Sequence, residues 1–137
     1  METRYNKRLD LAYKFYVSLY DVIKLQNYEM SYVARTLGQL IYNKFGKKLI
    51  GISETAKSES QENLTEDHFN NCQKVGEYLA KSRLLTRDEF EKIVVESRKT
   101  IKVTKKENSL LRKFQKNKEY GTGMEAYEDA GINVLFY

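Results

Sequence analysis

Apolar residues recur at helical spacing in two stretches near the N-terminus. From Leu11 to Ile23 they lie three or four positions apart, which predicts a helix over about residues 10–25. The same period over residues 29–45 predicts a second helix, and Gly46 is a suitable residue to end it. Because the link between these two helices is short, we expect them to pack as an antiparallel pair.

The second of these helices contains VARTLG, residues 33–38, which is similar to the first helix and turn of a helix-turn-helix. The residues that follow, QLIYNKF, continue the apolar helical period and do not open a polar recognition helix. The pattern therefore favours one continuous helix here over a helix-turn-helix.

The later part of the chain changes period several times, and two capping-box sequences mark helix starts. In chain order, the patterns predict a polar loop or frayed helix over 53–65, a short helix over 75–84, a helix opening at 86–89, a half-buried strand over 100–104, a helix opening at 104–107, a short helix over 124–130 and a last strand over 132–137. We therefore predict a mainly α protein with a small β element (α+β). We expect one domain over 1–137, with a helical subregion over 1–50 and a strand–helix subregion over 60–137.

Length and composition narrow the class of protein. A chain of 137 residues with 41% hydrophobic residues is long enough for one packed domain. It contains no apolar stretch that could span a membrane and no signal-peptide pattern at METRYNKRLD, so we expect no membrane partner. The single cysteine, Cys72, excludes an internal disulfide and a multi-cysteine zinc site. These features predict a cytoplasmic protein.

Positive charge is concentrated in one segment of the chain. The net charge is +5, but residues 97–118 carry nine Lys or Arg against one acid, a net charge of +8. Such a concentration is the expected footprint of a surface that follows phosphates. The alternative is a solvated helix face, which usually interleaves both signs of charge. The predicted DNA contacts in this segment are Arg98, Lys99, Lys102, Lys105, Lys106, Arg112, Lys113 and Lys116.

Any histidine chemistry in this chain must use His68. A lone histidine is usually structural or lies on the surface. The alternative is a one-metal nuclease site in which Asp67 and Asn108 hold a divalent cation and His68 is the general base. No cofactor is certain, and Mg²⁺ is expected if the protein is a nuclease.

The string EDHF, followed by IKVTKKENSLLRKFQ and EAYEDAGI, resembles small phage proteins of homing-endonuclease lineage. The resemblance covers about residues 60–132 and is similar in outline to the His-metal finger nucleases. It implies that Asp67 and Asn108 match the metal ligands and that His68 matches the base. Cys72 stands where such nucleases carry an arginine, which implies a weakened catalytic set. The resemblance also implies that residues 60–137 form a nuclease-like DNA-binding subregion and that the protein is associated with DNA in a bacterial host cell. It further implies a repressor, the role that domesticated nucleases of this kind have in phage satellites.

Three functions remain open from the sequence. The first is a sequence-specific repressor that binds double-stranded DNA and is related to homing endonucleases. The second is an active, Mg²⁺-dependent DNA endonuclease, so whether the protein is an enzyme is left open. The third is a small phage inhibitor that acts by protein–protein interaction. A homodimer is also left open.

Overall fold

The computed structural model describes residues 3–26, 30–116 and 118–137. These residues form a mainly helical structure with one small sheet, which confirms the predicted α+β class. The helices are α1 Arg4–Gln26, α2 Met30–Lys44, α3 Cys72–Lys81, α4 Arg87–Ser97, α5 Lys105–Gln115 and α6 Gly123–Asp129, with two short 3-10 helices at Thr55–Ser58 and Gln61–Asn63. The strands are β1 Lys48–Ser53, β2 Leu64–His68, β3 Lys99–Thr104 and β4 Val134–Phe136. None of the helices within these described ranges is long and apolar enough to cross a membrane.

The chain divides into two compact units that do not follow the order of the sequence. The helical unit consists of Met1–Gly46 and Cys72–Ser97, and the sheet unit consists of Lys47–Asn71 and Arg98–Tyr137. The predicted subregion 60–137 therefore holds segments of both units.

In the helical unit, α2 makes its closest approach to α3. A Cβ atom added at Gly76 would lie 1.7 Å from the carbonyl oxygen of Ala34, and one added at Gly38 would lie 2.3 Å from that of Cys72. Small residues thus allow the two helix backbones to come together. Helix α1 also contacts α2, but less closely than α3 does, and residues 27–29 lie outside the described residues. Because α2 continues unbroken through VARTLG, the helix-turn-helix alternative is excluded at this position.

The buried stripe of α1 differs from the predicted one. Leu11 and Phe15 are 55% and 51% exposed, while Leu9, Ala12 and Tyr16 are buried. The ring of Tyr16 stacks on Phe90 of α4 at a centroid distance of 5.2 Å. Apolar residues lie on both sides of this helix, so periodicity alone did not distinguish the core side from the exposed side.

The sheet of the other unit has the strand order β2-β3-β1-β4. Strand β3 is central, parallel to β1 and antiparallel to β2, whereas β4 runs antiparallel to β1 at one edge. The hydrophobic pattern predicts neither β1 nor β2, but it predicts β3 and β4 at nearly their observed positions. Because β3 is covered on both faces, Thr100 and Thr104 are buried together with Ile101 and Val103, and the predicted half-buried strand is wrong in this respect.

Helices α5 and α6 cover one face of this sheet. Their contact surface is an apolar cluster that buries strand, helix and loop side chains together. The fully or nearly buried members of the cluster are Ile101, Val103, Leu111, Ala126, Tyr127 and Ile132. This packing fixes which side of α5 faces the sheet and which side is left in solvent.

Candidate nucleic-acid interface on helix α5

Helix α5 begins at the capping box that the sequence predicts. The Thr104 hydroxyl accepts the backbone N–H of Glu107 at 3.0 Å, and the Glu107 carboxylate accepts the backbone N–H of Thr104 at 2.9 Å. The same carboxylate oxygen also accepts the hydroxyl of Ser53 from β1. The only acid of α5 is therefore engaged at the helix start, where it stabilises the N-terminal end of the helix dipole.

Five cations lie on the side of α5 that faces solvent. At 100° per residue, they fall within about 120° of the helix circumference, along a helix about 16 Å long. All five are exposed, and no ion pair joins any of them to an acid among the described residues. We call this set the basic face of α5, and it consists of Lys105, Lys106, Arg112, Lys113 and Lys116.

The sequence pattern predicts that Leu110, Leu111 and Phe114 share the face of α5 opposite to the cations, and the structure differs from this in part. Leu111 is buried and Phe114 is half-buried, as expected, but Leu110 is 38% exposed and lies beside the basic face. At the end of the helix the buried residue is Gln115, whose Nε2 atom donates to Asp67 Oδ2 at 3.0 Å.

Three other predicted DNA contacts lie outside the basic face of α5. Arg98 and Lys99 are half-buried at the start of β3. Lys102 is paired across the strands with Glu66, on the sheet face opposite to Ile101 and therefore opposite to α5. The structure thus brings five of the eight predicted contacts together and leaves these three apart from them.

Lys118, the last cation of the basic segment, is neutralised by α6. Its ammonium lies 2.8 Å from the carboxylate of Asp129 and 3.9 Å from that of Glu125. The hydrogen bond to Asp129 raises the pKa of Lys118 above its ordinary value. The charge of +8 along the segment therefore overstates the charge that the exposed surface presents.

Asp67 is a buried residue of the sheet unit and is not exposed at a catalytic surface. It faces the α5–α6 side of the sheet, where its Oδ2 atom accepts hydrogen bonds from the Tyr127 hydroxyl and from Gln115. Burial raises the pKa of the Asp67 carboxyl, and these two donors offset part of that rise. Burial of the Tyr127 hydroxyl, together with the nearby carboxyl of Asp67, raises the pKa of Tyr127. The three side chains form one polar contact inside the apolar cluster.

His68 lies on the other face of the sheet from Asp67, because neighbouring strand residues point to opposite faces. It is half-buried and pairs across the strands with Thr100. Burial lowers the pKa of the His68 imidazole, and the positive charge of Lys47 lowers it further. Both effects favour the neutral imidazole.

Asn108 is also separated from Asp67. It lies seven residues before Gln115 on the same side of α5, a distance of about 10 Å along the helix axis. Gln115, and not Asn108, reaches Asp67. The structure does not bring Asp67, His68 and Asn108 to one point, and no group of three His, Cys, Asp or Glu within the described ranges could hold a metal ion.

Gln115 and Tyr127 were not identified from the sequence as partners of Asp67. They lie 48 and 60 residues away along the chain, so no local spacing relates them to it. The only signal was indirect. Gln115 lies four residues after Leu111, on the same side of α5, so a polar residue stands on the helix side that packs against the sheet.

An open cleft of about 440 Å³ lies beside the first turn of α5. Its lining includes Lys105 and Lys106 but also Glu59 and Asn63 from the preceding loop. Because the cleft carries both signs of charge, the exposed basic face is the better surface for a polyanion.

No protein-family model, curated protein or solved structure matches this chain. The relation to homing endonucleases therefore stays a prediction from the sequence motifs. The chemistry of the sheet unit itself carries the functional argument.

Proposed function

We propose that this protein binds double-stranded DNA through the basic face of α5. The observation that carries the proposal is the alignment of five exposed cations on one helix side, with the only acid of that helix engaged elsewhere. A surface of this kind matches the regular negative charge of a phosphate backbone.

The alternative of a simple solvated face is disfavoured by the arrangement of the charges. Arg112 and Lys116 are four residues apart, and Lys113 and Lys116 are three apart, so like charges are neighbours on the helix. Each such pair destabilises a helix by about 0.2–0.5 kcal/mol, whereas alternating signs would stabilise it. No described acid offsets this repulsion between the cations of α5. A polyanionic partner would offset it.

The dimensions of α5 suit a major groove. An α-helix with its side chains is about 10–12 Å across, close to the groove width of about 12 Å. Ser109 lies near the centre of the basic face, flanked by cations on both sides. Its hydroxyl donates to the carbonyl oxygen of Lys105 at 3.2 Å, and its oxygen can accept a hydrogen bond from a base edge. In this arrangement the cations contact phosphates, and Ser109 is placed to contact bases.

Of the two functions that the nuclease resemblance implies, we propose DNA binding and not DNA cleavage. The separation of Asp67, His68 and Asn108 gives no support to a shared Mg²⁺ ion. We therefore propose a DNA-binding repressor in preference to an active endonuclease.

The test is the salt dependence of binding to a duplex. If all five cations contact phosphates, log K should fall with log salt with a slope of about −4 to −5. Lys113→Gln should weaken binding about equally on different sequences and reduce the slope by about 1. The matched control is Lys57→Gln, which removes an equally exposed lysine from a 3-10 helix of the same unit.

A flat salt response would overturn the proposal. An equal effect of Lys113→Gln and Lys57→Gln would show that net charge, and not the basic face of α5, determines affinity. Incubation of plasmid with the protein and Mg²⁺ or Mn²⁺ separates the two nuclease-related functions. Nicking that is lost in His68→Ala would favour the endonuclease.

A further inference from the structure

Strand β4 leaves one edge of the sheet open to another strand. Within residues 3–26, 30–116 and 118–137, its one strand partner is β1. Leu135, Phe136 and Tyr137 are 37%, 54% and 76% exposed, and residues 134–137 include no charge and no proline. The opposite edge, β2, carries Glu66 and Asp67, and charges of this kind discourage strand addition. Of the two edges, β4 is therefore the one suited to accept a further strand.

The hydrogen bonds around β4 show which of its backbone groups face outward. The N–H of Tyr137 donates to the carbonyl of Ile50 at 3.0 Å, and the carbonyl of Asn133 accepts from the N–H of Glu54, directly after β1, at 2.9 Å. In an antiparallel pair such bonds fall on alternate residues. Residues 133, 135 and 137 therefore point their backbone groups toward β1, whereas Val134 and Phe136 point theirs away from it.

We propose that β4 pairs with β4 of a second copy of this chain, antiparallel and about a twofold axis. Val134 of one copy then faces Phe136 of the other, and each pair exchanges two N–H···O=C bonds. Leu135 lies on the axis opposite its own counterpart. The outward donors and acceptors at 134 and 136 are the same set on both partners, so this edge complements itself, as a twofold interface requires.

In the proposed dimer, the position of the second copy fixes the distance between the two α5 helices. The comparison of this distance with DNA rests on the proposed function. A twofold axis between antiparallel strands is perpendicular to the sheet, so both α5 helices lie on the same face of a continuous sheet. Each α5 packs over β2 and β3. The two helices are then six strand spacings apart, about 29 Å in a flat sheet. Two successive major grooves on one side of a duplex are about 34 Å apart.

The experiment uses a charge exchange at Leu135, whose side chain is partly exposed. Leu135→Lys and Leu135→Glu each place like charges opposite each other at the axis. Each should weaken self-association at least about tenfold, and an equal mixture of the two should associate again as a heterodimer. Sedimentation equilibrium of the free protein measures this without DNA, and circular dichroism checks that both variants are folded. Because β4 is short, we expect the wild-type dimer to be weak and to form cooperatively on DNA.

The DNA measurement uses duplexes with one site and with two sites one helical turn apart. Leu135→Lys should bind the single site as wild type does and should lose cooperativity on the double site. A wild type that stays monomeric at high concentration and fills the double site without cooperativity would overturn the inference. A dimer unaffected by either Leu135 variant would also overturn it, since the interface would lie elsewhere. A Leu135-dependent dimer with no salt-dependent DNA affinity would support the strand pairing and refute the proposed function.

Discussion

Replacing Asp67 tests whether its role is structural. Both donors that reach this residue, the Tyr127 hydroxyl and Gln115 Nε2, bond to the same carboxylate oxygen. An asparagine can place its amide oxygen there and accept both bonds without a buried charge. Alanine leaves both donors unsatisfied, at about 1–3 kcal/mol each. We therefore expect Asp67→Asn to be at least as stable as wild type and Asp67→Ala to lose about 2–6 kcal/mol, measured by urea unfolding.

The pH dependence provides an independent check on this reasoning. Burial raises the pKa of Asp67, so the folded protein keeps the proton over a range in which the unfolded chain has lost it. The free energy of unfolding therefore falls as pH rises from about 4, the ordinary pKa, to the raised value. The advantage of Asp67→Asn over wild type should be larger at about pH 7 than at about pH 4. If asparagine destabilises as much as alanine, the carboxylate charge itself is needed and the reasoning is wrong.

Three further predictions concern stability. Burial lowers the pKa of His68, so the unfolded chain takes up a proton before the folded protein does as pH drops below about 6.5. The free energy of unfolding of wild type should therefore fall in this range, and unfolding titrations of His68→Gln should show a smaller fall. Glu107→Ala removes the capping box and the hydrogen bond to Ser53, and it should lower the free energy of unfolding in urea by about 1–2 kcal/mol. An unchanged urea midpoint would show that the cap is not needed. Gly76→Ala should cost about 2–4 kcal/mol because its Cβ would collide with the α2 backbone. Gly46→Ala is the control and should stay within about 0.5 kcal/mol, since its Cβ would have no described atom within 4 Å apart from those of its chain neighbours. Equal melting temperatures for the two variants would refute the close helix contact.

The features that the sequence predicts well are local. The capping box at Thr104–Glu107 and the strand β3 involve residues within a few positions of each other, and both are present in the structure, although β3 is buried on both faces and not on one. The run of cations on α5 is likewise a helical pattern that needs no knowledge of the fold. These local patterns place five of the eight predicted DNA contacts on one side of α5, whereas the separate positions of Arg98, Lys99 and Lys102 depend on the fold.

The features that the sequence does not predict depend on distant partners. The side of α1 that is buried depends on the position of Phe90 in α4, because both sides of α1 are apolar. The environment of Asp67 depends on Tyr127, 60 residues later. Strand β2 is short and polar, so the alternation that separates Asp67 from His68 is recognisable only once the strand is known.

The crossing of the chain between the two units has a consequence for the order of folding. Each unit is built from two separate segments, and the chain passes from one unit to the other three times. Strand β1 needs β3 as its neighbour, and β3 begins some fifty residues later. During synthesis, therefore, neither unit has all its parts until most of the chain has emerged. Such non-local pairing slows folding and makes it cooperative. We expect a fragment that ends before β3 to lack a stable sheet, so that the basic face of α5 forms only late in synthesis.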